Sequence, residues 1–143
     1  MAEILHQIPI KASAQQVYEA VATPEGLDAW WTLRAEGVPV EGASYQLWFG
    51  REYDWRARVS RVVPGEAIEW EMTDAHEDWL GTRVGVALEE ADGVTMVSFH
   101  HSNWSEQNEH FQISSYCWAA YLRLLKRYVE RGEFIEYPDR DEA

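Results

Sequence analysis

The sequence predicts an α+β fold in which a curved antiparallel sheet of about seven strands wraps on one long C-terminal helix, with two short helices after the first strand. Three observations predict it. Between Thr32 and His101 apolar residues recur at every second position, the period of a half-buried strand. From Glu109 to Arg131 the chain then runs without Gly or Pro. A helix of that length spans about 34 Å at ~1.5 Å per residue, enough to cross a small domain. Before both segments, two helix-start signals stand close together after a short strand.

That strand places Ile4, Ile8 and Ile10 on one face and Leu5, Gln7 and Lys11 on the other, with Pro9 pointing to a sheet edge. Ser13 and Gln16 have capping-box spacing, and Val17, Ala20 and Val21 supply a short apolar stripe. Thr23-Pro24 starts a second brief helix that ends near Trp30-Trp31. In the period-two region Tyr45, Leu47 and Phe49 share a face, as do Ala57 with Val59, Ile68 with Trp70 and Met72, Val84 with Val86 and Leu88, and Val97 with Phe99. Turn signals separate these runs at Glu41-Gly42, Gly50 to Asp54, Pro64-Gly65, Asp74 to Gly81 and Asp92-Gly93. Such short connections make neighbours antiparallel. On the last helix, steps of 100° gather His110, Ser114, Cys117, Tyr121, Leu124, Leu125 and Tyr128 on the side expected to face the sheet. Strand, helix, helix, six strands and a long helix is the helix-grip order. One domain over residues 1–143 is expected, with 139–143 a frayed polar tail.

Composition removes several function classes. At 143 residues and 46% hydrophobic the chain can bury a sizeable core. Its 12 basic and 25 acidic residues leave a formal charge of −13, which repels phosphate backbones and anionic lipid surfaces, so neither nucleic acid nor membrane is an expected partner. Cys117 is the only cysteine, which precludes an intramolecular disulfide and permits a reducing compartment. The first twelve residues lack the apolar run of a signal peptide, and a cytoplasmic location is the expectation. No cofactor is implied. No metal is expected either, because the five histidines show no recognised ligand spacing and no cysteine cluster supports them.

The run Ile8-Pro9-Ile10-Lys11-Ala12-Ser13-Ala14 with Val17-Tyr18, Thr23-Pro24 and Trp30-Trp31 resembles the opening of the START-like (SRPBCC) superfamily. The branch it is most similar to is that of the activator of heat-shock protein 90 ATPase homologues. Val59 followed by Val63-Pro64-Gly65-Glu66 and Ile68-Glu69-Trp70 resembles that branch's central strands. So does the sequence Thr95, Val97, Phe99, His100-His101 and Trp104 before a helix carrying Trp118, Leu122, Leu125 and Tyr128 and closed by Glu130-Arg131-Gly132. Members often carry Gly where Asn103 stands. The resemblance implies a cavity that binds a small apolar or amphipathic molecule.

That cavity is expected between sheet and long helix, with a volume of at least ~300 Å³. Inward phase assigns to it Trp30, Tyr45, Leu47, Phe49, Trp70, Met72, Val97, Phe99 and Tyr121, with Cys117 as packing and His101, Ser114 and Tyr121 as orienting polar groups. Alternate loops of a meander share one end of the sheet. Tyr53, Trp55, Trp79, Leu80 and Trp104 are therefore expected to form an aromatic rim in which Trp79 and Trp104 control access. The alternatives are a co-chaperone-like interaction module with a chaperone partner, using the acidic face, and a cyclase- or hydrolase-type enzyme with His101 and Tyr121 as acid and base.

Overall fold

Pro9 lies, as its missing N–H requires, on an edge of the sheet. In the computed structural model, which describes residues 2–142, that edge strand is β1 (Ala2–Ile10). It pairs antiparallel with the last strand, β7 (Val94–Trp104), so the chain's two sheet ends meet side by side. Between them in sequence come α1 (Ala14–Ala22), α2 (Pro24–Trp30), β2 (Arg34–Glu36), β3 (Ser44–Trp48), β4 (Asp54–Val63), β5 (Ala67–Asp74) and β6 (Arg83–Ala91). The seven-stranded order is β1-β7-β6-β5-β4-β3-β2, a meander closed at one side by β1. The long helix α3 (Glu109–Arg131) packs on β1 and on the two short helices. Among the described residues, no helix is long and apolar enough to cross a membrane.

The short-range signals explain the junctions. Ser13 Oγ accepts from the Gln16 amide at 3.2 Å while Gln16 Oε1 accepts from the Ser13 amide at 3.1 Å, a complete capping box on α1. Thr23 Oγ1 caps α2 by accepting from the Gly26 amide. A Cβ on Gly26 would lie 2.5 Å from the Glu19 carbonyl, so only glycine lets the two helices turn so tightly. Asp92 and Gly93 both have positive φ, the two-residue turn whose twist suits a hairpin. Asn103 also has positive φ, 70°, and its side-chain amide donates to the Gly81 carbonyl. A left-handed residue is needed there, which glycine or asparagine satisfies.

Strand register is the expected one. Trp70 and Phe99 are each 3% exposed and belong to one apolar core with Trp30, Tyr45, Leu47, Met72 and Val97. Phe49 falls just past β3 and is half-buried against that core. The face of α3 differs from expectation. Its buried stripe is Ser114, Trp118, Leu122, Leu124 and Leu125, whereas Cys117 is exposed. The spacing alone admitted either rotation, and side-chain size decides it. Burying the Trp118 indole removes far more apolar area from water than burying one thiol.

The C-terminal segment also departs from expectation. Residues Tyr137–Glu142 form a 3₁₀ helix, not a frayed end. Arg140 is 3% exposed, and its guanidinium donates to the carbonyls of Asp28, Thr32 and Ile135. The first two are carbonyls at the C-terminal end of α2, where the helix leaves acceptors unpaired. A charged tail residue thus serves as the cap of a helix more than a hundred positions earlier.

An aromatic cleft as candidate functional site

The loop between β5 and β6 folds back on itself. The amides of Trp79 and Leu80 both donate to the His76 carbonyl, at 2.8 and 3.0 Å. That turn directs the Trp79 indole inward and leaves Leu80 exposed. Trp79 stacks on Trp118 of α3 with centroids 5.8 Å apart, and its centroid lies 4.9 Å from Trp55 and 6.4 Å from Trp104. Its Nε1–H donates to Ser114 Oγ at 3.3 Å, tying the loop to the helix. Trp104 is fully buried, edge-on to Phe111 and His110.

His101 sits behind this cluster and is completely buried. Trp118 Nε1–H donates to His101 Nδ1 at 3.0 Å, so the imidazole carries its proton on Nε2, which donates to Thr82 Oγ1 at 2.8 Å. Thr82 in turn donates to the Trp79 carbonyl. Every polar atom of the ring is used. Desolvation, followed by the nearby His100 and His110, lowers the His101 pKa to about 3. A neutral, fully bonded ring closed off from solvent cannot exchange protons with a substrate, so neither the acid–base role nor the ligand-orienting role fits His101.

In front of the cluster lies an open cleft of about 480 Å³. Trp31, Phe49, Tyr53, Trp55, Trp79, Tyr121 and Tyr137 supply its aromatic walls, and His76, Asp78 and His110 its polar end. Burial raises the Tyr121 pKa to about 12, reinforced by Tyr137 and by Asp141, so its phenol stays a neutral hydrogen-bond donor near neutral pH. At the polar end His110 Nδ1 lies 2.9 Å from Asp78 Oδ2, and His76 Nδ1 accepts from the Asp78 amide at 3.1 Å.

Of the residues assigned to a cavity from sequence, Phe49 and Tyr121 line this cleft, together with Tyr53, Trp55 and Trp79 of the expected rim. Trp30, Tyr45, Leu47, Trp70, Met72, Val97 and Phe99 instead pack against one another as core. Two of them use their polar atoms on backbone: Trp30 Nε1 donates to the Ala20 carbonyl and Tyr45 Oη to that of Ala22. Ser114 is taken by Trp79, and Cys117 and Leu80 face outward. The open space therefore lies at the loop end of the sheet and not in its middle. Sequence reasoning missed Trp31, His76, Asp78, His110 and Tyr137. His76 and Asp78 share the Asp74–Gly81 loop with Trp79, and their polarity is the only signal the sequence offers for them. Tyr137 stands between α3 and the 139–143 tail, in a stretch for which the sequence predicts no element.

The fold recurs widely among solved structures. The Aha1 dimer from Colwellia psychrerythraea is 33% identical, with 93% of this chain and 99% of that one covered and a TM-score of 0.84. CalU16 from Micromonospora echinospora superimposes with a TM-score of 0.76 at 18% identity, covering 98% of this chain and 81% of its own. DynU16, a putative protein in the dynemicin biosynthetic locus, gives 0.79 at 20% identity over 94% of this chain and 50% of that one. Among curated proteins, none has a sequence that matches. Residues 11–130 match the family described as activator of Hsp90 ATPase homolog 1-like protein, and the chain belongs to that family.

Proposed function

We propose that the cleft binds a small amphipathic molecule with a flat apolar body and one polar end. The observation that carries this reading is the sorting of its lining, with aromatic rings on the walls and the His76, Asp78, His110 group at one end. A volume of about 480 Å³ falls within the ~300–1,000 Å³ of small-molecule sites. Apolar walls supply affinity at ~25 cal/mol per Å² removed from water, and the Tyr121 phenol supplies a fixed donor. Native mass spectrometry of the purified protein tests the reading directly, because a bound molecule appears as a discrete mass increment. Tyr53 is 53% exposed and should contribute little to folding. Tyr53→Ala is therefore expected to weaken that ligand roughly tenfold while changing stability by less than about 0.5 kcal/mol. Trp79→Ala behaves differently because Trp79 is core: it should cost ~3–5 kcal/mol of stability. Equal ligand retention in wild type and Tyr53→Ala would count against the cleft.

A second reading concerns assembly. Ile113, Tyr116 and Cys117 are exposed on α3, with Ile113 at 51% and Tyr116 at 76%, and Ala120 continues the same stripe. Positions i, i+3, i+4 and i+7 make one helix face, so α3 is apolar on both sides. A homodimer through that outer face fits the stripe, and the Colwellia relative is a dimer. Light scattering should give twice the chain mass for wild type and the single-chain mass for Tyr116→Glu. A monomeric wild type would end this reading.

A further inference from the structure

Two imidazoles and a carboxylate meet at the polar end of the cleft. One ligand-type atom from each of His76, Asp78 and His110 lies within 4.8 Å of the other two. We propose that these three side chains hold a divalent transition-metal ion, Zn²⁺ foremost, on the wall of the cleft. The donor set suits it: nitrogen and carboxylate oxygen bind zinc at ~2.0–2.2 Å, which puts neighbouring donors of a tetrahedral ion roughly 3.4 Å apart. His110 Nδ1 stands 2.9 Å and His76 Nδ1 3.8 Å from the same oxygen, Asp78 Oδ2, so the two observed separations bracket that value. The two rings meet edge to face with centroids 4.6 Å apart, and no donor pair is more than 4.8 Å apart, so side-chain rotation alone closes the set.

The elements carrying the donors favour the same conclusion. His76 and Asp78 come from one tight loop held by the bonds of Trp79 and Leu80 to the His76 carbonyl, and His110 comes from the first turn of α3. His76 Nδ1 accepts from the Asp78 amide, so that nitrogen is in the unprotonated form a metal ligand needs, and a bound ion takes the lone pair over from the amide N–H. The positive end of α3 opposes a cation by only ~0.3–1 kcal/mol. Coordination by three donors outweighs that by several-fold, and the chain's formal charge of −13 draws cations toward it. Three protein ligands also leave a zinc ion a fourth position, as in open sites. The metal site stands independently of which organic molecule fills the remaining space.

Untagged, chelator-treated protein should be titrated with Zn²⁺ by calorimetry and with Co²⁺ by visible absorption. One equivalent of Zn²⁺ and the intense visible bands of four-coordinate Co²⁺ are expected. His76→Ala and Asp78→Asn should each weaken Zn²⁺ at least ~100-fold, since disturbing even the outer partners of a ligand costs ~10–100-fold. His76 has a side chain 49% exposed, so its removal leaves the fold intact and keeps the test valid if Asp78→Asn is unstable. His100→Gln is the control, because His100 pairs with Glu69 on the opposite face of the sheet and should bind Zn²⁺ like wild type. Absence of Zn²⁺ binding, or binding that survives His76→Ala and Asp78→Asn unchanged, overturns the proposal.

Discussion

Lowering the pH from 6.5 to 4.5 is expected to cost the protein about 2 kcal/mol through His101 alone. The folded imidazole takes up a proton only near pH 3, whereas an ordinary histidine does so near 6.5. Between those values the unfolded chain binds one more proton than the folded one. Stability from this group is therefore complete above about pH 6.5 and is lost progressively as the pH falls toward 3, at ~1.36 kcal/mol per unit. The physical cause is twofold: the ring is buried among Trp79, Trp104 and Trp118, and its Nδ1 already accepts the Trp118 N–H. Protonation would set a second N–H against that donor. His101→Gln can offer a carbonyl to Trp118 and an amide to Thr82 but cannot titrate. Urea midpoints measured every half unit should fall less steeply with acid in the variant. His6, His76, His100 and His110 remain in both proteins, so the difference between the two slopes isolates His101. Parallel slopes would show that the ring is not held neutral.

The fold was legible because its signals are local. Ser13 with Gln16, Thr23-Pro24 and Asp92-Gly93 each act within four residues, and each appears in the structure where the sequence puts it. Strand phase was equally readable, because period two leaves one choice per strand and a large side chain such as Trp70 or Phe99 settles it. The helix was harder. At 100° per residue Cys117 and Trp118 stand on opposite flanks of the line through Ser114 and Leu125, and only their relative size, not their spacing, turns α3 toward Trp118. The site was the least legible part. Whether an inward aromatic fills the core or lines an open cleft depends on what packs opposite, and for Tyr45 and Trp70 that partner is each other, at 5.5 Å. His76 and Asp78 meet His110 only because a loop and a helix more than thirty residues apart are brought together, a long-range contact that no spacing rule reports.

Arg140→Ala is expected to release the C-terminal segment and to remove one wall of the cleft. The Arg140 guanidinium donates to three carbonyls, at 2.6 Å to Asp28, 3.1 Å to Thr32 and 2.9 Å to Ile135, and it lies 5.4 Å from the Tyr137 ring. Hydrogen bonds from a charged donor contribute ~1.5–3 kcal/mol each when both partners are buried. Part of that loss is recovered, because a freed segment regains entropy and water reaches the Asp28 and Thr32 carbonyls. A net cost of about 2 kcal/mol follows. Arg140→Lys should recover little of it, since one ammonium cannot reproduce a planar fork serving three separated acceptors. The functional consequence exceeds the energetic one. Tyr137 lines the cleft only while this segment is docked, and the raised Tyr121 pKa depends partly on Tyr137 and Asp141 beside it. Arg140→Ala should therefore expose amides 133–142 to rapid hydrogen exchange and weaken the ligand proposed for the cleft. If exchange in that segment stays as slow as in α3, the guanidinium is not what holds it, and the apolar contacts of Ile135 with the core must be doing so.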